Sequence, residues 1–262
     1  MTEASLKRRL KKGERREQIL LELRLAPHVR VTDLAERLGV TTETIRRDID
    51  ELGSAGLLDR SFGGASARAP GAYQGLTERS RERVEERRRL AAHAAAQVDA
   101  GASLMIDAGS TTVEFARALA TTGWSATVVT NSLQVATILG SVSGTRVVLA
   151  PGEYRNGEAA VVGAETCEFL ARFNVDACYL GAAGLSGIGA TEVVDGFAAI
   201  KRTMRAQAHS VNFLIDSRKF GRTHLLTVAT PAEVCHLFTD APPDDELAAV
   251  LRDAGTMIST PG

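Results

Sequence analysis

No two cysteines in this sequence are spaced to act together. Cys167, Cys178 and Cys235 are odd in number, far apart and set among apolar residues, with no CxxC and no Cys/His cluster. A disulfide framework and a zinc site are both unsupported, and buried, reduced thiols are expected instead. Neither a metal nor a cofactor is expected. Long apolar runs are missing too: nothing approaches the ~18–20 residues needed to cross a bilayer, so no membrane partner is expected. The opening MTEASLKRRLKKGERR is basic but lacks the apolar centre of a secretory signal, and a cytoplasmic location follows as an expectation. Aromatic residues are scarce at 5 %, while apolar residues reach 44 %, the balance of an ordinary α/β protein. Strong net charge is the last absence, since the chain carries only −1. That total hides an asymmetry. Residues 1–90 hold 20 Lys+Arg against 15 Asp+Glu, and residues 91–262 hold 11 against 17. A basic front half joined to an acidic back half implies two modules with different partners.

What is present begins with periodicity. From Arg15 the apolar residues Ile19, Leu20 and Leu23 recur at helical spacing. His28–Val31 is short and reads as extended. Thr32 is placed to cap a second helix with Leu34, Ala35 and Leu38 on its buried face, and Gly39 can end that helix in the left-handed conformation. Thr41 or Thr42 caps a third helix, on which Ile45, Ile49 and Leu52 share one face. Two short helices joined through a glycine turn, with their apolar faces meeting, make a helix-turn-helix. The remaining face of the third helix carries Thr42, Glu43, Arg46 and Arg47 near its N-terminal end, where a recognition helix meets base edges in the major groove. An arginine can give a guanine two hydrogen bonds, worth ~1–3 kcal/mol of discrimination. Successive helical residues diverge by ~100°, so Arg46 and Arg47 are expected to divide the work, one on bases and one on phosphate. An ion pair with Asp50 at i+4 is the plain alternative for Arg46. The stretch SAGLLDRSFGGASAR alternates around a glycine pair as a two-stranded wing would, with Arg60 placed to touch phosphate. Ala65–Gly75 reads as a flexible connection. TERSRERVEERRRLAAHAAAQV reads as one helix, solvated in its first half and packed in its second.

Beyond this point the rhythm changes to β-α alternation. SLMIDAG, ATVVTNS, TRVVLAPGEY, DACYLGAAGL, SVNFLIDS, HLLTVAT and CHLFTDA read as strands, with helices such as STTVEFARAL, LQVATIL and FAAIKRTMRAQA between them. Strands that end in small polar residues and open into helices place ligand groups at the carboxyl edge of a parallel sheet. Asp107-Ala108-Gly109-Ser110-Thr111-Thr112 is such an edge, and Thr130-Asn131-Ser132 repeats it. A helix N-terminus offers unpaired N–H groups and partial positive charge, so phosphate is a natural guest, although the GK[ST] ending of a Walker loop is absent. Lys201 and Lys219 are cations able to complete an anion pocket.

These residues carry a resemblance. VTDLAERLGVTTETIRRDIDELGSAGLLDRSFGGA, and within it TIRRD (Thr44–Asp48) and Gly63-Gly64-Ala65, resembles the N-terminal domain of the DeoR family of bacterial transcriptional regulators. IDAGSTT, VVTNS, PGEYR, LGAAGL, IKRTM, DSRKFG and TDAPP are similar to that family's effector-sensing domain, in the family's order, so the likeness runs from about Arg15 to Pro243. It implies an α/β fold class: a winged helix-turn-helix domain over residues 1–68, a linker and connecting helix over 69–90, and a mostly parallel α/β domain over 91–262 that resembles ribose-5-phosphate isomerase. It implies a repressor that binds double-stranded operator DNA as a homodimer or homotetramer and senses a phosphorylated sugar. The candidate DNA-contacting residues are then Thr32, Thr41, Thr42, Glu43, Thr44, Arg46, Arg47 and Arg60. The effector pocket is implied to comprise Asp107, Gly109, Ser110, Thr111, Thr112, Thr130, Asn131, Gly152, Arg155, Lys201 and Lys219. Two departures stand out. Phe197 occupies a position where relatives commonly have glutamate, and Pro151 one where a second glycine is common. Phe197 removes an acceptor for a sugar hydroxyl and offers an apolar surface. Two other readings remain open: a sugar-phosphate isomerase with a DNA-binding appendage, using Asp107, Glu192 or Asp195 as base, and a repressor that senses no ligand.

Overall fold

The computed structural model describes residues 10–26, 28–54, 58–61, 63–67 and 75–262, and the chain divides into two compact units, residues 1–73 and 74–262. In the first, α1 (Lys12–Leu25) is followed by β1 (His28–Arg30), α2 (Val31–Leu38), α3 (Thr42–Ser54), β2 (Leu58–Ser61) and β3 (Gly64–Ala67). Ile19, Leu23, Leu34, Ile45, Ile49, Leu52 and Leu58 are buried together as the core of this unit. Each large aliphatic side chain withdrawn from water contributes ~1.5–3 kcal/mol, so the helical periodicity is what assembles these helices. Gly39 ends α2 in the left-handed region at φ 66°, as its position predicts. The three strands form an antiparallel sheet in the order β1-β3-β2. Its glycine pair has two separate jobs. Gly63 takes φ 77° in the turn. Gly64 lets β3 come so close to β1 that a Cβ there would stand 2.1 Å from the Val29 carbonyl oxygen.

Three local expectations change. Thr32 does not cap α2, because the strand residue Arg30 occupies the N-cap position and the helix starts at Val31. Ala65–Ala67 belongs to β3 rather than to a flexible connection, Ala65 and Ser66 being paired on both sides and Ala67 with Leu58. The helix expected after the junction is two helices, α4 (Leu76–Arg79) and α5 (Val84–Ala95), separated by Arg83 at φ 46°.

The second unit continues with β4 (Leu104–Ile106), α6 (Ser110–Leu119), β5 (Thr127–Thr130), α7 (Leu133–Gly140), β6 (Arg146–Leu149), β7 (Glu153–Arg155), β8 (Ala160–Val162), α8 (Ala164–Leu170) and β9 (Val175–Leu180). It ends with β10 (Gly184–Ser186), β11 (Gly189–Glu192), α9 (Asp195–Ala206), β12 (Ala208–Leu214), β13 (Leu226–Ala229), β14 (His236–Phe238), α10 (Asp245–Asp253) and β15 (Met257–Ser259). Seven strands form a parallel sheet in the order β15-β14-β12-β9-β4-β5-β6. Side chains alternate across it: Leu104 and Ile106 join one core cluster with Leu90, Phe115 and Leu139, while Met105 joins the other with Leu170, Ile200 and Phe213. The strand HLLTVAT leaves this series; β13 pairs antiparallel with β11, which pairs with β10. From β4 the chain steps through β5 to β6 on one side, and β9 then returns to pair on the other side of β4. The order thus reverses between β4 and β9, and α/β sheets hold ligands at the carboxyl ends of such a pair.

Only one cysteine matches its expectation. Cys178 is buried and its thiol is pushed up to about 12, chiefly by burial, whereas Cys167 is half-buried and Cys235 is exposed just ahead of β14. All three are free. Among the described residues no acidic, histidine and cysteine side chains group to hold a metal ion, and no helix is long and apolar enough to cross a membrane.

Candidate functional site

The solvent face of α3 is the first site. Its start is fixed by Thr41, whose hydroxyl accepts from the Thr44 N–H at 3.2 Å and meets the Thr44 hydroxyl at 2.9 Å. Ile45 and Ile49 turn into the core, which sends the other face outward. Arg46 and Arg47 keep 64 % and 76 % of their side-chain surface exposed. Both turn toward Glu43, Arg47 Nε lying 3.3 Å and Arg46 Nη1 3.9 Å from its carboxylate. Such exposed pairs are worth at most about 1 kcal/mol, so neither arginine is held firmly by Glu43. Thr42 is exposed on the first turn and Thr32 on α2. Arg60 falls on β2 opposite Ala65, and its side chain lies outside the described residues.

One acid of the TIRRD motif behaves differently. Asp48 is 1 % exposed and accepts hydrogen bonds from Arg15 and from Arg16, the latter at 3.4 Å. It pins α1 to α3 from the inward side, and with it the angle at which α3 is presented. Sequence reading assigned it no such role; the signal was its i+3 spacing from Ile45, on the buried stripe.

The second site, the crevice, is the carboxyl edge of the sheet at β4 and β9. Asp107 follows β4 and is 1 % exposed. Its carboxylate accepts the Gly181 N–H at 3.2 Å, just beyond β9, and lies 2.9 Å from Lys201 Nζ. The same ammonium is 3.1 Å from Glu192 at the end of β11. Burial raises the pKa of Asp107 above the usual carboxylate range, although Lys201 opposes it. Burial would raise Glu192 also, but the charge of Lys201 and the Val193 N–H outweigh it and lower its pKa. Lys201 therefore serves two buried carboxylates and is not a spare cation. Phe197, one turn earlier on α9, is 3 % exposed and places its ring 5.7 Å from Lys201 Nζ, within cation–π range. It forms a floor under the lysine, not a wall for a ligand.

Lys219 has another setting. It donates to the Ala182 carbonyl at 2.6 Å and forms no ion pair among the described residues. Surrounding protein, together with the charges of Arg79 and Lys201, pushes its ammonium down to about 8, against the pull of Asp216 and Glu192, although its side chain keeps some solvent contact. Across the crevice, α6 begins at Ser110 with no side-chain cap and no acid in its first turn. Its opening N–H groups face outward from the helix end, where partial positive charge collects. The Ser110 and Thr111 hydroxyls carry no hydrogen bond among the described residues.

Other expected donors are already engaged. Thr112 donates to the Gly109 carbonyl at 3.0 Å and Thr130 to the Ile106 carbonyl at 2.6 Å. Asn131 donates to the Val161 carbonyl at 3.0 Å, while its buried Oδ1 has no hydrogen-bond partner. Gly152 is confined by space, since a Cβ there would lie 2.1 Å from Thr166 Oγ1, itself bound to the Pro151 carbonyl at 2.7 Å. Pro151 is tolerated because that turn uses its carbonyl. Arg155 ends exposed β7, 3.4 Å from Glu153. Asp195 is exposed at the start of α9, and Glu192 is tied to Lys201; neither is poised as a free base beside a carbon acid.

Comparison with known proteins agrees with this division. Residues 15–70 match the DeoR-like helix-turn-helix domain and residues 82–241 the DeoR C-terminal sensor domain. The glycerol-3-phosphate regulon repressor of Escherichia coli (strain K12) is 31 % identical over 245 residues, 93 % of this chain and 97 % of its own. The repressor CsqR of the same strain is 29 % identical over 94 % and 95 % of the two chains, and the regulator GlpR of Haloferax volcanii 30 % identical over 87 % and 89 %. Among solved structures, ribose 5-phosphate isomerase A from Neisseria gonorrhoeae matches 52 % of this chain and 53 % of its own, at 17 % identity and a TM-score of 0.39, too slight a likeness to bear on activity. With a helix-turn-helix whose reading face is exposed and a sensor domain matched over most of the second unit, this chain belongs to the DeoR family and is a DNA-binding transcriptional regulator, not an enzyme.

Proposed function

We propose that this regulator represses a carbohydrate-metabolism operon and is controlled by a phosphorylated sugar or polyol. In this reading α3 enters the major groove, Arg46 and Arg47 exchange Glu43 for base edges and phosphate, and Thr32, Thr41, Thr42, Thr44 and Arg60 contact the flanking backbone. The protein acts in the cytoplasm as a homodimer or homotetramer, so that paired winged units, residues 1–68, read paired half-sites. Residues 69–90 connect them to the sensor over 91–262.

The observation that carries the effector reading is the uncapped α6 N-terminus, just after β4, together with Lys219, whose ammonium binds the Ala182 carbonyl just after β9 and forms no ion pair among the described residues. Phosphate is recognised there by N–H groups, by the Ser110 and Thr111 hydroxyls and by Lys219. Gly109 leaves the turn unobstructed, and the Asp107–Lys201–Glu192 cluster, with Asn131 Oδ1, faces the hydroxyls of the sugar. Thr112, Thr130 and Gly152 hold the walls, and Arg155 stands at the rim. The names of the relatives support small phosphorylated carbohydrates, the glycerol-3-phosphate regulon among them. Differential affinity of the ligand for two quaternary states then sets DNA affinity.

The test is a mobility-shift titration on the DNA upstream of the regulator's own gene, with and without glycerol 3-phosphate, an aldohexose 6-phosphate and a ketohexose 1-phosphate. A sequence-specific shift altered by one of these is expected. No specific shift in any state rejects the DNA assignment, and indifference to every phosphosugar, with calorimetric silence, rejects the effector assignment.

A further inference from the structure

The segment that opens the second unit is tied down on the elements that frame the crevice. Helix α4 packs against α6 and against the turn Asn156–Glu158, and Leu76 is buried beneath it. Arg79, at the end of α4, is ion-paired with Glu158, which is 5 % exposed. Buried Arg87 reaches back from α5 and donates to the carbonyls of Arg79 (2.5 Å) and Glu82, so this turn is held from inside. Arg83 is paired with Asp240, whose carboxylate also accepts the Ser217 N–H at 2.6 Å, and Glu82 lies 3.2 Å from Arg218. Ser217 and Arg218 are the two residues before Lys219. Arg79 is close enough to Lys219 for its charge to help depress that ammonium. Two cations, Arg79 and Lys219, are therefore near one another on elements around α6, against which α4 packs.

We propose that Arg79 is an effector-contacting residue, exchanging Glu158 for the anionic group of the ligand and so carrying occupancy of the crevice into the segment that follows the DNA-binding unit. The proposal rests on the phosphosugar reading of the crevice. A phosphate placed between α6 and Lys219 presents two or three oxygens. The planar guanidinium fork is suited to two of them, as it is to the carboxylate it leaves. Glu158 is then a competitor built into the protein. It neutralises Arg79 while the crevice is empty, and its own burial makes release of the arginine conditional on an anion arriving. Arg87 keeps the backbone of the turn in place while the side chain swings.

Calorimetric titration of the full chain with glycerol 3-phosphate, an aldohexose 6-phosphate and inorganic phosphate tests this. For whichever probe the unmodified chain binds, Arg79→Gln is expected to weaken binding about tenfold, and Glu158→Gln to strengthen it several-fold by removing the competitor. A pair that is merely structural would move both variants in the same direction. Unmodified protein that binds a probe while Arg79→Gln binds it equally well overturns this proposal and leaves the crevice reading intact. Unmodified protein that binds no probe overturns the crevice reading itself. Should Arg79→Gln not fold, hydrogen exchange on the unmodified chain decides: bound probe must change the protection of residues 76–83, and unchanged protection overturns the proposal.

Discussion

The recognition face of α3 and the crevice at β4 and β9 both contain arginine or lysine beside carboxylates, yet they hold charge in opposite ways. On α3 the partners Arg46, Arg47 and Glu43 are more than half exposed. Water screens them, and each pair contributes at most about 1 kcal/mol. In the crevice Asp107, Lys201 and Glu192 are each less than 5 % exposed. There the desolvation cost of each charge is offset only by its partners, so removing one leaves a buried charge uncompensated. Weak pairing leaves the α3 arginines free to change partners, as the proposed DNA contacts require, whereas strong pairing makes Lys201 part of the framework. In the proposed reading the anionic group of the ligand therefore falls to Lys219 and α6, and the cluster meets only its hydroxyls.

The comparison can be broken most directly at Lys201. Lys201→Met abandons two buried carboxylates and should cost the sensing unit about 3–5 kcal/mol, read by denaturant unfolding of Trp124, the single tryptophan and buried in that unit. A loss below about 1 kcal/mol would mean that the cluster behaves like a surface pair. Next in size, Arg46→Ala and Arg47→Ala should each weaken operator binding by about 1–3 kcal/mol while changing folding stability by less than about 0.5 kcal/mol. One should relax specificity at a single base pair and the other should flatten the salt dependence. Unchanged binding in both would place the reading face elsewhere.

A third measurement concerns pH. The Lys219 ammonium sits at about 8, below the ordinary 10.5. Affinity for a phosphorylated ligand should therefore fall as pH rises through about 8, and binding near that pH should take up protons. The folding linkage has the sign of a depressed lysine. Its unfavourable burial as a cation is complete below about 8 and is relieved as pH rises toward 10.5, because the unfolded chain then binds more protons than the folded one. Affinity that stays flat to pH 10 would remove Lys219 from the ligand site. The smallest effect is expected from Glu43→Gln, which should change stability by less than about 1 kcal/mol while leaving operator binding equal or tighter. A large destabilisation would show that the α3 pairs are not loosely held.

Local pattern determined much of this protein. The three-to-four spacing of Ile45, Ile49 and Leu52 required a helix with an opposite polar face, whose N-terminal part carries Thr42, Glu43, Arg46 and Arg47. Gly39 announced a left-handed helix end because other residues are strained there, and the Gly63-Gly64 pair announced the turn of the wing. The β-α alternation with polar strand ends implied a parallel sheet with a carboxyl-edge site. Tertiary structure decided whatever depended on residues distant in sequence. It made Asp48 a buried clasp for Arg15 and Arg16, gave Lys201 to Asp107, set Lys219 against the Ala182 carbonyl, and laid Arg79 against Glu158. The physical reason is that periodicity reports which face of an element is apolar, whereas the worth of a charge depends on how much water and which countercharges the rest of the chain brings to it. Those are set by contacts most of which span 32 to 94 positions, and no local spacing encodes them.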